Sequence, residues 1–125
     1  QQLTMLKDQV QGTPKNHPGK IALPYQNGVS FVEVENIVYC ESENNYTRFY
    51  TADGQQHLVS KNLGDIQEVL EERNFVRVHR QYLVNLDHIK KYVRGEGNYL
   101  VLSNDVNIPV ARSQKEKLIK RFGWL

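Results

Sequence analysis

A mainly β fold with one short helix near residues 62–72 and a second at the C-terminal end is predicted for this chain, and three observations predict it. Most of the 125 residues fall into short runs rich in β-branched and aromatic side chains. Turn-forming pairs such as Asn27-Gly28, Asp53-Gly54 and Asn104-Asp105 punctuate those runs. The apolar spacing changes to a helical period at two places, residues 62–72 and 113–122.

Residues 1–19 hold Gly12, Pro14, Pro18 and Gly19 among polar residues with no sustained apolar period, which reads as a flexible linker leading into a domain over residues 20–125. The chain starts at Gln1 without an initiator methionine, so a preceding segment is expected. From Lys20 onward the predicted strands are Ile21–Tyr25, Val29–Val34, Ile37–Cys40, Tyr46–Thr51 and Gln56–Ser60. The Asp53-Gly54 pair between the last two predicts a hairpin, in which both central residues of a type I′ turn take positive φ. Over residues 62–72, Leu63, Ile66, Val69 and Leu70 share a helical face, with Asn62 as N-cap and Asp65 three residues on. Strands return at Phe75–Val78, Tyr82–Leu86, Ile89–Val93, Tyr99–Leu102 and Val106–Val110. Asn85 is expected to satisfy backbone groups at a turn, because asparagine tolerates the φ needed there. Ser113-Gln114-Lys115-Glu116 then resembles a capping box, and Leu118, Ile119 and Phe122 continue a helical stripe that ends near Gly123.

Composition narrows the function. Hydrophobic residues make up 39% and charged residues 24%, the balance of one ordinary soluble domain with enough core to fold without staples. The single cysteine, Cys40, excludes an intrachain disulfide and fits a reducing, cytoplasmic setting. No apolar run approaches the roughly eighteen residues of a spanning helix, so no membrane partner is expected. The four histidines, His17, His57, His79 and His88, lack zinc-ligand spacing with Cys40 or with one another, so neither a metal nor a cofactor is expected. Cys40 lies within Ile37-Val38-Tyr39-Cys40, where a thiol is ordinarily buried and inert, which argues against an enzyme. Gly95-Glu96-Gly97-Asn98 has no Lys-Ser/Thr after it and reads as a turn rather than a phosphate loop.

The net charge of +2 hides a strong asymmetry. Residues 33–72 carry two Arg/Lys against nine Asp/Glu, residues 73–94 six against one, and residues 111–125 five against one. If the two basic segments share a surface, that surface attracts a polyanion. Three junctions present an arginine: Asn44-Asn45-Tyr46-Thr47-Arg48, His79-Arg80-Gln81 and Ala111-Arg112-Ser113. A rigidly held arginine donates two parallel hydrogen bonds to guanine O6 and N7, and asparagine does the same to adenine, so such loops can read a major groove without a recognition helix. The alternative left open is a β-rich protein-interaction or ligand-sensing module whose basic face docks an acidic partner.

The stretch Asn74-Phe75-Val76-Arg77-Val78-His79-Arg80-Gln81-Tyr82-Leu83-Val84-Asn85-Leu86-Asp87-His88-Ile89-Lys90-Lys91-Tyr92 resembles the signature of the LytTR DNA-binding domain. Ile37–Glu41 with Asn45-Tyr46, Lys61-Asn62-Leu63, and Ile108-Pro109-Val110-Ala111-Arg112 fall in the same order as their counterparts in that family. The resemblance implies elongated, stacked antiparallel β-sheets and a role as the output half of a bacterial two-component response regulator, with an N-terminal receiver domain outside this chain and pairing of two copies on repeated promoter sites in double-stranded DNA. Position by position, it implies base contacts from Asn45, Thr47, Arg48, Arg80 and Arg112, and backbone contacts from Tyr46, His79, Gln81, Ser113 and Lys115. His79 either donates to a phosphate or orients its loop, and Tyr46 either stacks on a sugar or simply opens a strand. Thr47 stands where some members carry a larger donor, and Ala111 where many carry serine. Lys117 and Lys120 are read as solvated helix charges, and the acidic 33–72 region as facing away from DNA.

Overall fold

A computed structural model describes residues 19–123. Apart from Gly19, the linker expected over 1–19 lies outside the described residues. The strands, numbered in chain order, are β1 (Lys20–Tyr25), β2 (Gly28–Glu33), β3 (Ile37–Glu43), β4 (Tyr46–Thr51) and β5 (Gln56–Val59). After the helix α1 (Leu63–Leu70) come β6 (Phe75–His79), β7 (Tyr82–Asn85), β8 (Ile89–Val93), β9 (Tyr99–Leu102) and β10 (Asn107–Pro109), and then the helix α2 (Lys115–Lys120). β1 and β2 form an antiparallel ribbon, β8, β9 and β10 a three-stranded sheet, and a central sheet has the order β5-β4-β3-β7-β6. The mainly β prediction with two short helices therefore holds.

The central sheet separates two cores. On one face Ile37, Cys40, Phe49, Phe75 and Leu83 pack under α1 and the β1–β2 ribbon, which contribute Leu63, Ile66, Leu70 and Leu23. On the other, Val38, Tyr39, Val76, Val78 and Val84 meet Leu100, Leu102 and Ile108 of the three-stranded sheet and Leu118 of α2. Strict alternation would send Val38 and Tyr39 to opposite faces. Both lie in the second core because the pairing of β3 with β4 shifts between Ile37 and Tyr39, the signature of a bulge. A second shift, between Arg77 and His79 where β6 pairs with β7, re-aims the end of β6.

Helix α1 starts as predicted, with the Asn62 side chain accepting from the Asp65 N–H at 2.9 Å. It stops at Leu70, is followed by a 3-10 turn over Glu71–Arg73, and reverses at Asn74, whose φ of 67° is left-handed. Other local expectations need correction. Val69 is half exposed, because the buried stripe of this two-turn helix is only Leu63, Ile66 and Leu70 wide. The β4–β5 hairpin forms, but only Gly54 has positive φ (86°). The Gly54 N–H donates to the Thr51 carbonyl and Thr51 pairs with Gln55, so a three-residue loop replaces the two-residue turn. Asn85 does satisfy backbone groups, donating to the Ile37 carbonyl and accepting from the Asp87 N–H, but from extended backbone with φ −78°. The capping box at Ser113 is absent: a 3-10 turn over Arg112–Gln114 leads into α2, with no side-chain cap.

Three tyrosines brace the second core. Tyr39 stacks on Tyr50 with ring centroids 4.3 Å apart, and the hydroxyls of Tyr50 and Tyr82 donate to the Glu41 carboxylate. Burial first, with the proximity of Glu41 adding to it, pushes all three phenols above their ordinary range, and for Tyr39 the neighbouring Tyr50 and Tyr82 raise it further. Unfolded tyrosines titrate near about pH 10, so above that pH the unfolded chain holds fewer protons than the folded one and stability declines as pH rises. Urea midpoints are expected to be unaffected by these tyrosines up to about pH 9 and to drop steadily from about pH 10 upward. Replacing Tyr50 and Tyr82 with phenylalanine is expected to shallow that drop.

Candidate nucleic-acid interface

Antiparallel topology gathers the three arginine-bearing junctions at one end of the central sheet. β3 ends and β4 begins there, as do β6 and β7, and β5 runs toward the same end before α1. Three hydrogen bonds tie the segments together. The Thr47 hydroxyl donates to the Lys61 carbonyl at 2.8 Å, the Ser42 N–H to the Gln81 carbonyl at 2.9 Å, and the Ala111 N–H to the Val78 carbonyl at 2.8 Å. The resulting row runs from Lys61 through Asn44-Asn45 and Arg80-Gln81 to residues 111–115.

The predicted site residues divide within this row. Asn45 and Tyr46 are exposed beside Asn44, whose φ of 56° closes the tight β3–β4 turn. Arg80, Gln81, Arg112 and Ser113 are exposed, and Lys115 is half-buried. Neither the Arg80 nor the Arg112 side chain takes part in an ion pair among the described residues. His79 is half-buried, its Nδ1 accepts the Gln81 N–H at 3.1 Å, and its ring tilts against Tyr82, which is the loop-orienting arrangement.

Two expectations are corrected. Thr47 is fully buried and its hydroxyl is committed to Lys61, because it lies on the same face of β4 as Phe49 and Thr51. It positions the row and offers no group to a base. Arg48, on the opposite face of β4, makes a two-pronged ion pair with Glu43, its Nε and Nη2 donating to the carboxylate, and Nη1 reaches Gln56. The arginine holds the exposed Glu43 carboxyl below its usual range, and that carboxylate occupies the guanidinium edge a base would need. A Thr47→Val substitution removes the donor of a partly buried hydrogen bond to the Lys61 carbonyl and is expected to lower stability by about 0.5–1.5 kcal/mol, whereas Thr47→Ser keeps most of it. Urea unfolding of both variants checks this.

Sequence reasoning missed Arg77, Lys61 and Lys117. Arg77, partly buried on β6, donates through Nε to the His79 carbonyl at 2.9 Å, through Nη2 to the Arg80 carbonyl, and through Nη1 to Oε1 of Gln67 on α1 at 2.7 Å. It therefore clamps the turn that presents Arg80. Lys61 was legible from the predicted pairing of 46–51 with 56–60, which brings the end of the second strand beside Asn45-Tyr46. Lys117 instead lies on the wall of a cleft of about 460 Å³ between the β6–β7 turn and the start of α2. Arg77 and Arg80 line the same cleft, as do Ala111 and Ser113, which flank Arg112. The row combines paired donors for base edges with cations for phosphates, the two contact types that duplex recognition requires.

Comparison with known proteins bears on this arrangement. The family model for the LytTr DNA-binding domain matches residues 27–123. The chain is 29% identical over 108 residues to the CO-responsive transcriptional regulator RcoM of Rhodospirillum rubrum, covering 84% of this chain and 45% of that protein. It is 29% identical over 119 residues to the sensory transduction protein LytT of Bacillus subtilis, covering 91% and 48%. The match to the transcriptional regulatory protein LytR of Staphylococcus aureus is 27% over 100 residues, covering 78% and 40%. The chain thus spans less than half the length of these relatives. A solved LytTr DNA-binding domain from Bacillus cereus superposes with a TM-score of 0.72 at 22% identity, covering 85% of this chain and 98% of that one, which extends the agreement to the fold. A family match that begins in the β1–β2 ribbon and ends after α2 takes in all three arginine-bearing junctions, and this chain belongs to the LytTr DNA-binding domain family.

Proposed function

We propose that this chain reads double-stranded DNA in a sequence-dependent way through the row of turns at the end of its central sheet, as the output part of a longer bacterial transcription regulator of the response-regulator kind. The observation that carries the reading is the placement of two exposed arginines, Arg80 and Arg112, unpaired among the described residues, in neighbouring segments of one end. Each guanidinium is free to form a bidentate contact with guanine, and Asn45 offers the matching pair of groups to adenine. Tyr46, Gln81, Ser113 and Lys115 supply contacts to sugar and phosphate, and His79 holds the second turn. Phosphate contacts give most of the affinity and its salt dependence, whereas the arginines give discrimination.

One such surface binds modestly. Two copies brought together on repeated sites by a receiver domain preceding this chain gain apparent affinity through effective concentration. The role is one of binding rather than catalysis, a reading supported by the complete burial of Cys40, which pushes its thiol well above the usual range and leaves it unreactive. Selection of bound sequences from a random duplex library tests the proposal. Enrichment of a motif with guanines at a fixed spacing supports it. A chain that binds scrambled and enriched duplexes alike, or prefers an acidic protein to either, would overturn it in favour of a docking module.

A further inference from the structure

The cleft between the β6–β7 turn and α2 has a charge problem that the fold does not solve. Arg77, Arg80 and Lys117 line it together with His79, Ser113 and Gln114, and among the described residues no Asp or Glu does. The Arg77 guanidinium is partly buried, yet its bonds go to neutral acceptors: the carbonyls of His79 and Arg80, and Oε1 of Gln67. Burial alone, with no carboxylate opposing it, pulls this guanidinium below the usual arginine range. The nearest acid along this path, Glu71, accepts from the other end of the Gln67 amide at 2.8 Å and is not part of the wall. Gln114 also lines the cleft, and its Oε1, an acceptor, is buried without a donor, so nothing holds the amide in that orientation. Turned over, that amide would present its N–H groups in the same place.

We infer that this cleft seats a backbone phosphate of the bound duplex, with Lys117 and Arg77 supplying the charge and the Ser113 hydroxyl and Gln114 amide supplying donors, an inference that rests on the DNA-reading function proposed above. A phosphate neutralises a partly buried cation that no carboxylate opposes, and with the Gln114 amide turned over it also accepts that amide's N–H. The cleft lies between Arg80 and the segment that carries Arg112, so a strand contacting both passes over it. The shared chemistry also fits a free phosphate, and the test separates the two sources.

The experiment uses the whole chain, the duplex obtained by selection and a set of duplexes each carrying one uncharged methylphosphonate linkage. Wild type is expected to lose about tenfold in affinity when one particular linkage is neutralised. Lys117→Gln, an exposed substitution that leaves the cores intact, is expected to weaken binding by a similar factor on all sequences and to lower the slope of log affinity against log salt by about 1. The decisive result is coupling: the neutral linkage that hurts wild type should have little further effect on Lys117→Gln. Lys120→Gln, on the exposed side of α2, should keep the full penalty. Additive losses at every linkage, or a salt slope unchanged by Lys117→Gln, would overturn the phosphate seat even if Arg80→Ala and Arg112→Ala still flatten sequence preference. Conversely, a salt slope on a random duplex that Lys117→Gln lowers by about 1 and Lys120→Gln leaves unchanged upholds the phosphate contact even if no sequence preference exists. If inorganic phosphate moves the Gln114 amide and Arg77 Nε NMR signals while duplex does not, the occupant is a free phosphate and the backbone assignment fails.

Discussion

Replacing Arg80 and Arg112 together with alanine is expected to erase most of the preference for a selected duplex over a scrambled one, by a factor of about a hundred or more. A bidentate arginine–guanine contact is worth about 1–3 kcal/mol of discrimination, and the two side chains sit in separate segments with no shared partner shown, so their losses should add. The single variants should each lose about tenfold in preference. Affinity for scrambled duplex should fall much less, because phosphate contacts sustain it. Anisotropy titrations at several salt concentrations distinguish the two effects. A double variant that loses affinity equally for both duplexes would mean that the arginines serve only as charge. Neither position packs in a core, so the variants should melt near wild type.

The largest expected loss of stability comes from Phe49→Ala, at about 3–5 kcal/mol. Phe49 is completely buried near the middle of β4, paired with Cys40 on one side and His57 on the other, and its ring belongs to the core covered by Leu63, Ile66 and Leu70 of α1. β4 itself and the neighbouring β3 are held by ladders on both sides, so the cavity cannot collapse easily. For a domain near this size the loss corresponds to a Tm lower by on the order of 10–20 °C, which differential scanning calorimetry checks. Phe49→Leu, which retains most of the volume, should lose much less.

Much of this fold was legible because its local signals agree. The hydrophobic runs, the Asp53-Gly54 turn and the Asn62 cap all point to the elements that form, with boundaries displaced by one to three residues. Thr47 was legible too, since alternation from Phe49 turns it inward, but its place in the resemblance drew it toward DNA. Arg48 was not, because its partner Glu43 is set by the reach of two side chains across the β3–β4 hairpin rather than by any periodicity. Lys117 depends on how α2 docks beside β6, a tertiary placement that helical spacing leaves open. The convergence of Arg80 and Arg112 came only from the family signature, and chain topology then supplies its cause: an edge strand, β6, whose end is tied to residue 111.

The bonds from Thr47 to Lys61, Ser42 to Gln81 and Ala111 to Val78 bear on kinetics as well as shape. A surface whose tips are already pinned to one another has little conformational freedom left to surrender on docking. Association then proceeds as the meeting of a preformed shape with its target, with an encounter rate governed by long-range charge and a heat-capacity change that reflects only the area covered, without the added signature of coupled folding.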